Sequence, residues 1–352
     1  MNVAERKIKW GVIGCGGIAD RRTLPGMMLS GNSELVAVMD TNPAAAENCR
    51  KKYGAKFAFT EVQPLLDIKE IEAVYIATPV FCHKAQVEAA AKAGKHILLE
   101  KPVGLTVKEA CEIQDTCDRY GVRLGVGFVM RFHTFHQQMK QMIERGDLGQ
   151  IVSARAQLTC WYPEQKGVWR QDPSLSGGGA LMDMGVHCVD LIRYITGLEV
   201  SDVSGMIGNQ VFKYGVEDAG SILMRLSNGA NAYVDANFNI PDDAAVCKLE
   251  FYGTKGSIFA EGTVSQIEGG TATVLRSDDT AGYDASQSRG EVNSVKLEGL
   301  GGNIYEKEIT AFADAILNSL PVPVSSEDAI RSQQVVEAAY ASSDKKITVT
   351  LA

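Results

Sequence analysis

Residues 8–40, IKWGVIGCGGIADRRTLPGMMLSGNSELVAVMD, read as one strand, turn, helix and strand in succession, and this unit decides the fold. The apolar run 10–13 has the character of a buried strand. Gly14, Gly16 and Ala19 follow it in the spacing G-x-G-x-x-A, with Cys15, Gly17 and Ile18 filling the turn. The first glycine permits the tight turn, the second lets backbone approach a pyrophosphate, and the small third residue lets the next helix pack closely. That helix directs its free N–H groups and positive dipole end at the phosphates. A second apolar run, 35–39, ends in Asp40, placed to receive ribose hydroxyls. A carboxylate there favours NAD over NADP, because a 2′-phosphate would meet its charge; Arg21 and Arg22 are the neighbours that would recruit such a phosphate.

The 352 residues are 45% hydrophobic and 22% charged, the composition of an ordinary globular chain with length for two domains. The 43 acidic against 35 basic side chains give a net charge of −8, which argues against nucleic acid and anionic membrane and toward a small-molecule partner. No apolar run is long enough to span a bilayer, and the opening MNVAERKIKW lacks the apolar core of a secretory signal, so a cytoplasmic location is expected. The eight cysteines form no C-x-x-C and no cluster with histidine at metal-ligand spacing. They read as reduced, mostly buried thiols, and no metal is expected.

Downstream, strands over 73–77, 96–99 and 122–128 alternate with helices over 43–53, 83–95 and 107–120. This alternation implies a doubly wound parallel sheet, whose ligands gather at the carboxyl ends of the strands. Asp40, Thr78-Pro79 and Glu100-Lys101 all fall there. After one more helix, 135–145, the rhythm changes to strands over 151–159, 200–211, 219–226, 230–238, 247–252 and 256–260, with a turn at Ser227-Asn228-Gly229. A largely antiparallel sheet follows, hence an α+β second domain. The expected division is 1–126 for the Rossmann domain and 127–352 for a domain of substrate binding and oligomerisation. Helices over 305–319 and 328–342 and a strand over 346–351 close the chain.

Three groups carry candidate chemistry. Lys101 follows a buried strand directly, and Pro102 after it makes a cis bond more plausible than elsewhere. Its ammonium there would bond a substrate hydroxyl; the alternative is a solvated lysine paired with Glu100. Asp183 and His187 are four apart on a helix and share a face, and Asp190 and Tyr194 extend the polar stripe opposite Met184, Cys188, Leu191 and Ile195. A carboxylate beside a histidine suits hydroxyl binding and proton transfer during hydride loss; an amphipathic helix with an internal Asp183–His187 interaction is the alternative. Gly177, Gly178 and Gly179 before it would let backbone approach a ligand. The loop from Trp161 to Trp169 and Arg170 offers rings to stack on a sugar face and a cation for a polar group, or else an interface anchor.

Taken together, the G-x-G-x-x-A turn, Glu100-Lys101-Pro102, Gly177 to His187 in the pattern GGGALMD-x-x-x-H, Glu217-Asp218-Ala219 and the segments EITAFADAI and EDAIRSQQVVEAAY resemble the glucose-fructose oxidoreductase, inositol dehydrogenase and MocA family over nearly the whole chain. The resemblance implies an N-terminal Rossmann domain, a C-terminal open sheet, and a homodimer or homotetramer. It implies catalytic roles for Lys101, Asp183 and His187: His187 as general base, Lys101 polarising the same oxygen, Asp183 orienting the sugar. Trp169 and Arg170 join these as substrate contacts. Gly14, Cys15, Gly16, Gly17, Ile18, Asp40, Thr78, Pro79, His83, Glu100 and Lys101 form the implied NAD site. Many members have asparagine where this chain has Val80; His83 matches a common position. The expected activity is NAD-dependent oxidation of a secondary hydroxyl on a sugar, inositol or related polyol. The other readings are a redox-assisted glycosidase with tightly bound NAD and a non-enzymatic sugar or nucleotide sensor.

Overall fold

The computed structural model describes residues 6–277, 285 and 293–351, which divide into two compact units. The first comprises Met1–Val129, Gly167–Gly177 and Asn303–Gln334; the second comprises Met130–Lys166, Gly178–Gly302 and Val335–Ala352. The first unit is thus discontinuous, two later stretches joining the opening one.

In that unit β1 (Ile8–Ile13), β2 (Ser33–Met39), β3 (Phe57–Phe59), β4 (Ala73–Ile76), β5 (His96–Leu99) and β6 (Leu124–Val126) form one sheet in the order 3-2-1-4-5-6. Every pairing is parallel. Local sequence sets the connecting helices. Asn42 caps Pro43–Tyr53 by accepting from the Ala44 and Ala45 N–H groups, and Gly54 ends that helix in a left-handed conformation. Thr106 caps Val107–Tyr120, which Gly121 closes in the same way. The helix Ile304–Leu317 belongs here because its apolar face completes this core. Ile309, Phe312 and Ala313 pack with Trp10, Tyr75 and Leu98, and the Phe312 and Trp10 rings lie 5.6 Å apart. Gly26 admits the helix: a Cβ there would stand 2.7 Å from Tyr305 Cβ.

The second unit holds a nine-stranded sheet built from β7 (Ile151–Thr159), β8 (Val200–Gly208), β9 (Ala219–Leu226), β10 (Asn231–Asn237), β11 (Lys248–Gly253), β12 (Gly256–Glu261), β13 (Thr271–Arg276), β14 (Asn293–Lys296) and β15 (Val349–Thr350). Its order is 14-13-12-11-7-10-9-8-15, antiparallel except between β7 and β10. Two strands toward one edge, β13 and the edge strand β14, are additions to the sequence reading. The strand expected over 200–211 stops at Gly208, because the next N–H groups are diverted to a carboxylate described below. The helix Val186–Thr196 lies on one face of this sheet and is buried almost all round. Asp190 is therefore buried and Tyr194 half-buried. Asp190 makes a bidentate ion pair with Arg131 at 2.9 and 2.6 Å, and Tyr194 covers the guanidinium at 4.9 Å.

Candidate active site

The first unit gathers its candidate residues at the carboxyl ends of β1, β2 and β5. Gly14 adopts a φ of +95°, and a Cβ there would lie 2.9 Å from the Ala77 carbonyl carbon, so the turn needs glycine both for conformation and for the approach of β4. Gly16 and Gly17 face open space. Cys15 contributes backbone: its N–H donates to Asp40 Oδ2 at 2.8 Å, while its buried thiol donates to the Met39 carbonyl and is pushed up by desolvation. Asp40 Oδ1 accepts from the Asn42 N–H at 2.8 Å. Each carboxylate oxygen thus keeps a further acceptor position, and with the open turn these residues fit a dinucleotide. Ile18 leads into a π-helical turn, Ala19–Thr23, and the short helix Leu24–Leu29.

Lys101 stands just beyond β5, and its bond to Pro102 is cis. It is mounted on a buried polar chain: Thr23 donates to Tyr75 Oη at 2.9 Å, Tyr75 donates to Glu100 Oε1 at 2.5 Å, and the Lys101 N–H donates to Glu100 Oε2 at 3.3 Å. Burial raises the Glu100 carboxyl, while the Tyr75 hydrogen bond and the charges of Lys101 and Arg170 oppose the rise. Arg170 lies over the Trp169 ring at 4.5 Å, so both belong to the same unit as Lys101, whereas Trp161 belongs to the other. Thr78 donates to Gln86, and Val80 after Pro79 is buried. His83 is 1% exposed, with its ring between the carbonyls of Pro102 and Thr78 at 3.1 Å each. Desolvation lowers it to about 4, so it stays neutral and ties the turn after Lys101 to the end of β4. His83 and Glu100 thus face inward and support the Lys101 and Thr78 backbone.

In the second unit, Asp183 lies in a π-helical turn, Leu181–Gly185, that runs directly into Val186–Thr196 and His187. Such turns recur at functional sites. The preceding glycines admit protein rather than leave room for a ligand. A Cβ on Gly178 would overlap the Tyr340 hydroxyl, and one on Gly179 the Glu217 carbonyl oxygen. Gly177, in the first unit, is pressed in the same way by the Leu105 carbonyl at 2.7 Å. Glu217 and Asp218 together carry backbone. Glu217 Oε2 accepts from the Gly179 N–H at 2.8 Å; its Oε1 accepts from Leu181 N–H at 2.9 Å and Tyr340 O–H at 2.7 Å. Asp218, 0% exposed, accepts from the N–H groups of Gln210, Val211 and Phe212 at 2.8, 2.8 and 2.7 Å, which is what ends β8. In sequence, only the adjacency of two acids at the start of a buried strand signals either role. Among the described residues no group of three or more His, Cys, Asp or Glu could hold a metal ion, and no helix is long and apolar enough to cross a membrane.

Residues 8–128 match the model of an oxidoreductase family with an NAD-binding Rossmann fold, and residues 136–259 match the GFO/IDH/MocA C-terminal domain. A 1,5-anhydro-D-fructose reductase of Ensifer adhaerens is 28% identical over 330 residues, 92% of each chain. Among solved structures, levoglucosan dehydrogenase in complex with NADH and levoglucosan superposes with a TM-score of 0.86 at 25% identity, covering 98% of this chain and 99% of that one. A variant of a 3-ketoreductase from Actinomadura kijaniata, in complex with TDP-benzene and NADP, gives 0.82 at 25% identity, covering 96% and 98%.

Proposed function

The chain belongs to the Gfo/Idh/MocA family of NAD(P)-dependent oxidoreductases, and from that premise we propose that it oxidises a secondary hydroxyl of a sugar, inositol or related polyol with NAD. The observation that carries the reading is the placement of the open Gly16–Gly17 turn, Asp40 and Lys101 at the carboxyl ends of three strands of one parallel sheet. When bound, nicotinamide supplies the hydride acceptor. This chain's residues handle the rest. The Lys101 ammonium donates to the hydroxyl oxygen, His187 takes the hydroxyl proton as the carbon loses hydride, and Asp183 accepts from a neighbouring hydroxyl. Trp169 and Arg170 hold the sugar beside Lys101. Gly14 to Ile18, Thr78 and Pro79 contact the dinucleotide, with His83 and Glu100 acting behind them. The relatives' names, an anhydrosugar reductase and levoglucosan dehydrogenase, support a sugar as substrate.

Asp40 supports NAD, its free acceptor positions suiting unphosphorylated ribose. Eight free cysteines suit a cytoplasmic site of action. The sheet face of the second unit opposite the buried helix exposes Leu223 and Tyr233, and we assign it to a homodimer or homotetramer contact, checked by light scattering of Leu223→Glu.

The deciding experiment is NAD and NADP reduction across inositols, aldoses, anhydrosugars and glycosides. Turnover with NAD is expected, lost in Lys101→Ala with dinucleotide binding retained. Full turnover in that variant refutes the assignment. Absence of net reduction, with nicotinamide tightly bound to the purified protein, moves the reading to a redox-assisted glycosidase or a sensor.

A further inference from the structure

We propose that Glu217 is a positioning residue for the reaction, its carboxylate holding the turn that presents Asp183 and His187. The proposal rests on the assignment of those two residues to the substrate hydroxyl.

Three consecutive N–H groups at the start of the Leu181–Gly185 turn go to this one residue. The side chain takes those of Gly179 and Leu181, and the Glu217 carbonyl takes that of Ala180 at 3.2 Å. The Asp183 N–H then bonds the Gly179 carbonyl at 2.9 Å, so the first reactive side chain sits one hydrogen bond from the clamp. The opening N–H groups of a helical segment have no partners within it, and a carboxylate there answers both their hydrogen-bonding need and the positive end of the dipole. Glu217 comes from the approach to β9 rather than from the residue before the turn, so it fixes the turn relative to the sheet as well as capping it. Tyr340, from the helix Ser326–Lys345, locks the same carboxylate from the other side.

The geometry requires an anion rather than any polar side chain. Both Glu217 oxygens face backbone N–H donors, so glutamine would set its own NH2 against one of them whichever way the amide turned. Gly178 and Gly179 belong to the same device, since side chains there would force the turn away from Tyr340 and Glu217. Asp218 supplies an internal comparison. It is the adjacent residue, equally buried, and clamps three N–H groups of the 210–212 loop instead.

The test measures kcat, KM and dinucleotide Kd for Glu217→Gln, Tyr340→Phe, Asp218→Asn and His187→Ala, using the sugar of the panel that turns over fastest. Misplacement of reacting groups by about 1 Å costs about a hundredfold in rate. Glu217→Gln should therefore lose about tenfold to a hundredfold in kcat with dinucleotide Kd unchanged. Tyr340→Phe removes one hydroxyl and should show a smaller loss of the same kind, which keeps the test valid where Glu217→Gln does not fold. Asp218→Asn should lower stability and leave kcat near that of the parent. A Glu217→Gln enzyme with parental kcat overturns the proposal, as does an equal kcat loss in Asp218→Asn, which would make the effect general loosening. If His187→Ala is fully active, the functional assignment falls and the proposal with it; if His187→Ala is inactive and Glu217→Gln is normal, only the role of Glu217 falls.

Discussion

Glu308 offers a test of how the first unit is built. It lies on the helix Ile304–Leu317, is 2% exposed, and neither carboxyl oxygen has a hydrogen-bond partner among the described residues. Burial, and then the charge of Glu100, hold its carboxyl well above the ordinary range, so it folds as the neutral acid. An acid raised in the folded state contributes stability that is full below the ordinary carboxyl range and is lost as pH rises, because the unfolded chain ionises first. The loss is about 1.4 kcal/mol for each pH unit over which the folded form keeps its proton. Glu308→Gln keeps the shape and removes the proton linkage. It should match the parent below the ordinary carboxyl range and then gain on it as pH rises, by about 1.4 kcal/mol for each pH unit over which the folded parent keeps its proton. Glu308→Met also removes the unsatisfied polar atoms and should add about 1 to 3 kcal/mol at every pH. Urea unfolding at pH 5, 6 and 7 reads both quantities. A parent-to-Glu308→Gln difference that does not grow with pH would mean that Glu308 is ionised or paired, and the reasoning would fail.

Three other changes test the remaining buried groups and the cofactor site. Asp190→Ala removes the carboxylate that the buried Arg131 guanidinium meets at 2.6 Å and should cost about 3 to 5 kcal/mol in urea unfolding, with Arg131→Met in the same chain restoring part of it. His83, held neutral at about 4, makes folding acid-sensitive: below its ordinary value near 6.5 the unfolded chain binds the proton first. Stability should fall by up to about 3 kcal/mol from pH 6.5 to 4, a slope that His83→Gln flattens. Asp40→Ser removes the charge that opposes a 2′-phosphate, so the ratio of kcat/KM for NADP to that for NAD should rise at least about tenfold; an unchanged ratio removes Asp40 from cofactor choice.

The parallel sheet was legible because each strand and helix announces itself locally: the strands are short apolar runs, the helices end in glycine at Gly54 and Gly121, and caps such as Asn42-Pro43 and Thr106 stand where the helices begin. Lys101 was legible for the same reason, being fixed by the end of β5. The polar stripe 183-187-190-194 was legible as a stripe, but a helix cannot reveal in its own spacing that Asp190 meets Arg131, 59 residues away. The helix Ile304–Leu317 was legible as a helix, but its membership in the first unit depends on Trp10 and Tyr75, nearly the whole chain distant. β14 is short, polar and exposed throughout, so no alternation marks it. The glycines before Asp183 were read as room for a ligand, since their true neighbours, Glu217 and Tyr340, are set by tertiary packing.

These misreadings share a physical origin. Reactive groups must reach a substrate, so they sit at strand ends and helix starts where local pattern exposes them. The groups that hold them must be buried, because a charge fixes backbone N–H groups firmly only where water does not compete. Burial brings partners together across the chain: Tyr75 to Glu100 over 25 residues, Glu217 to Gly179 over 38, Tyr340 to Glu217 over 123. A motif such as Glu217-Asp218 therefore looks like a pair of candidate acids when it is a mounting. Its two neighbours show this most directly, since one steadies the turn bearing Asp183 and the other ends β8 by claiming Gln210, Val211 and Phe212. On the proposed assignment of Asp183 and His187 to the substrate hydroxyl, the two acids serve different ends, and kinetics separates what proximity in sequence merges.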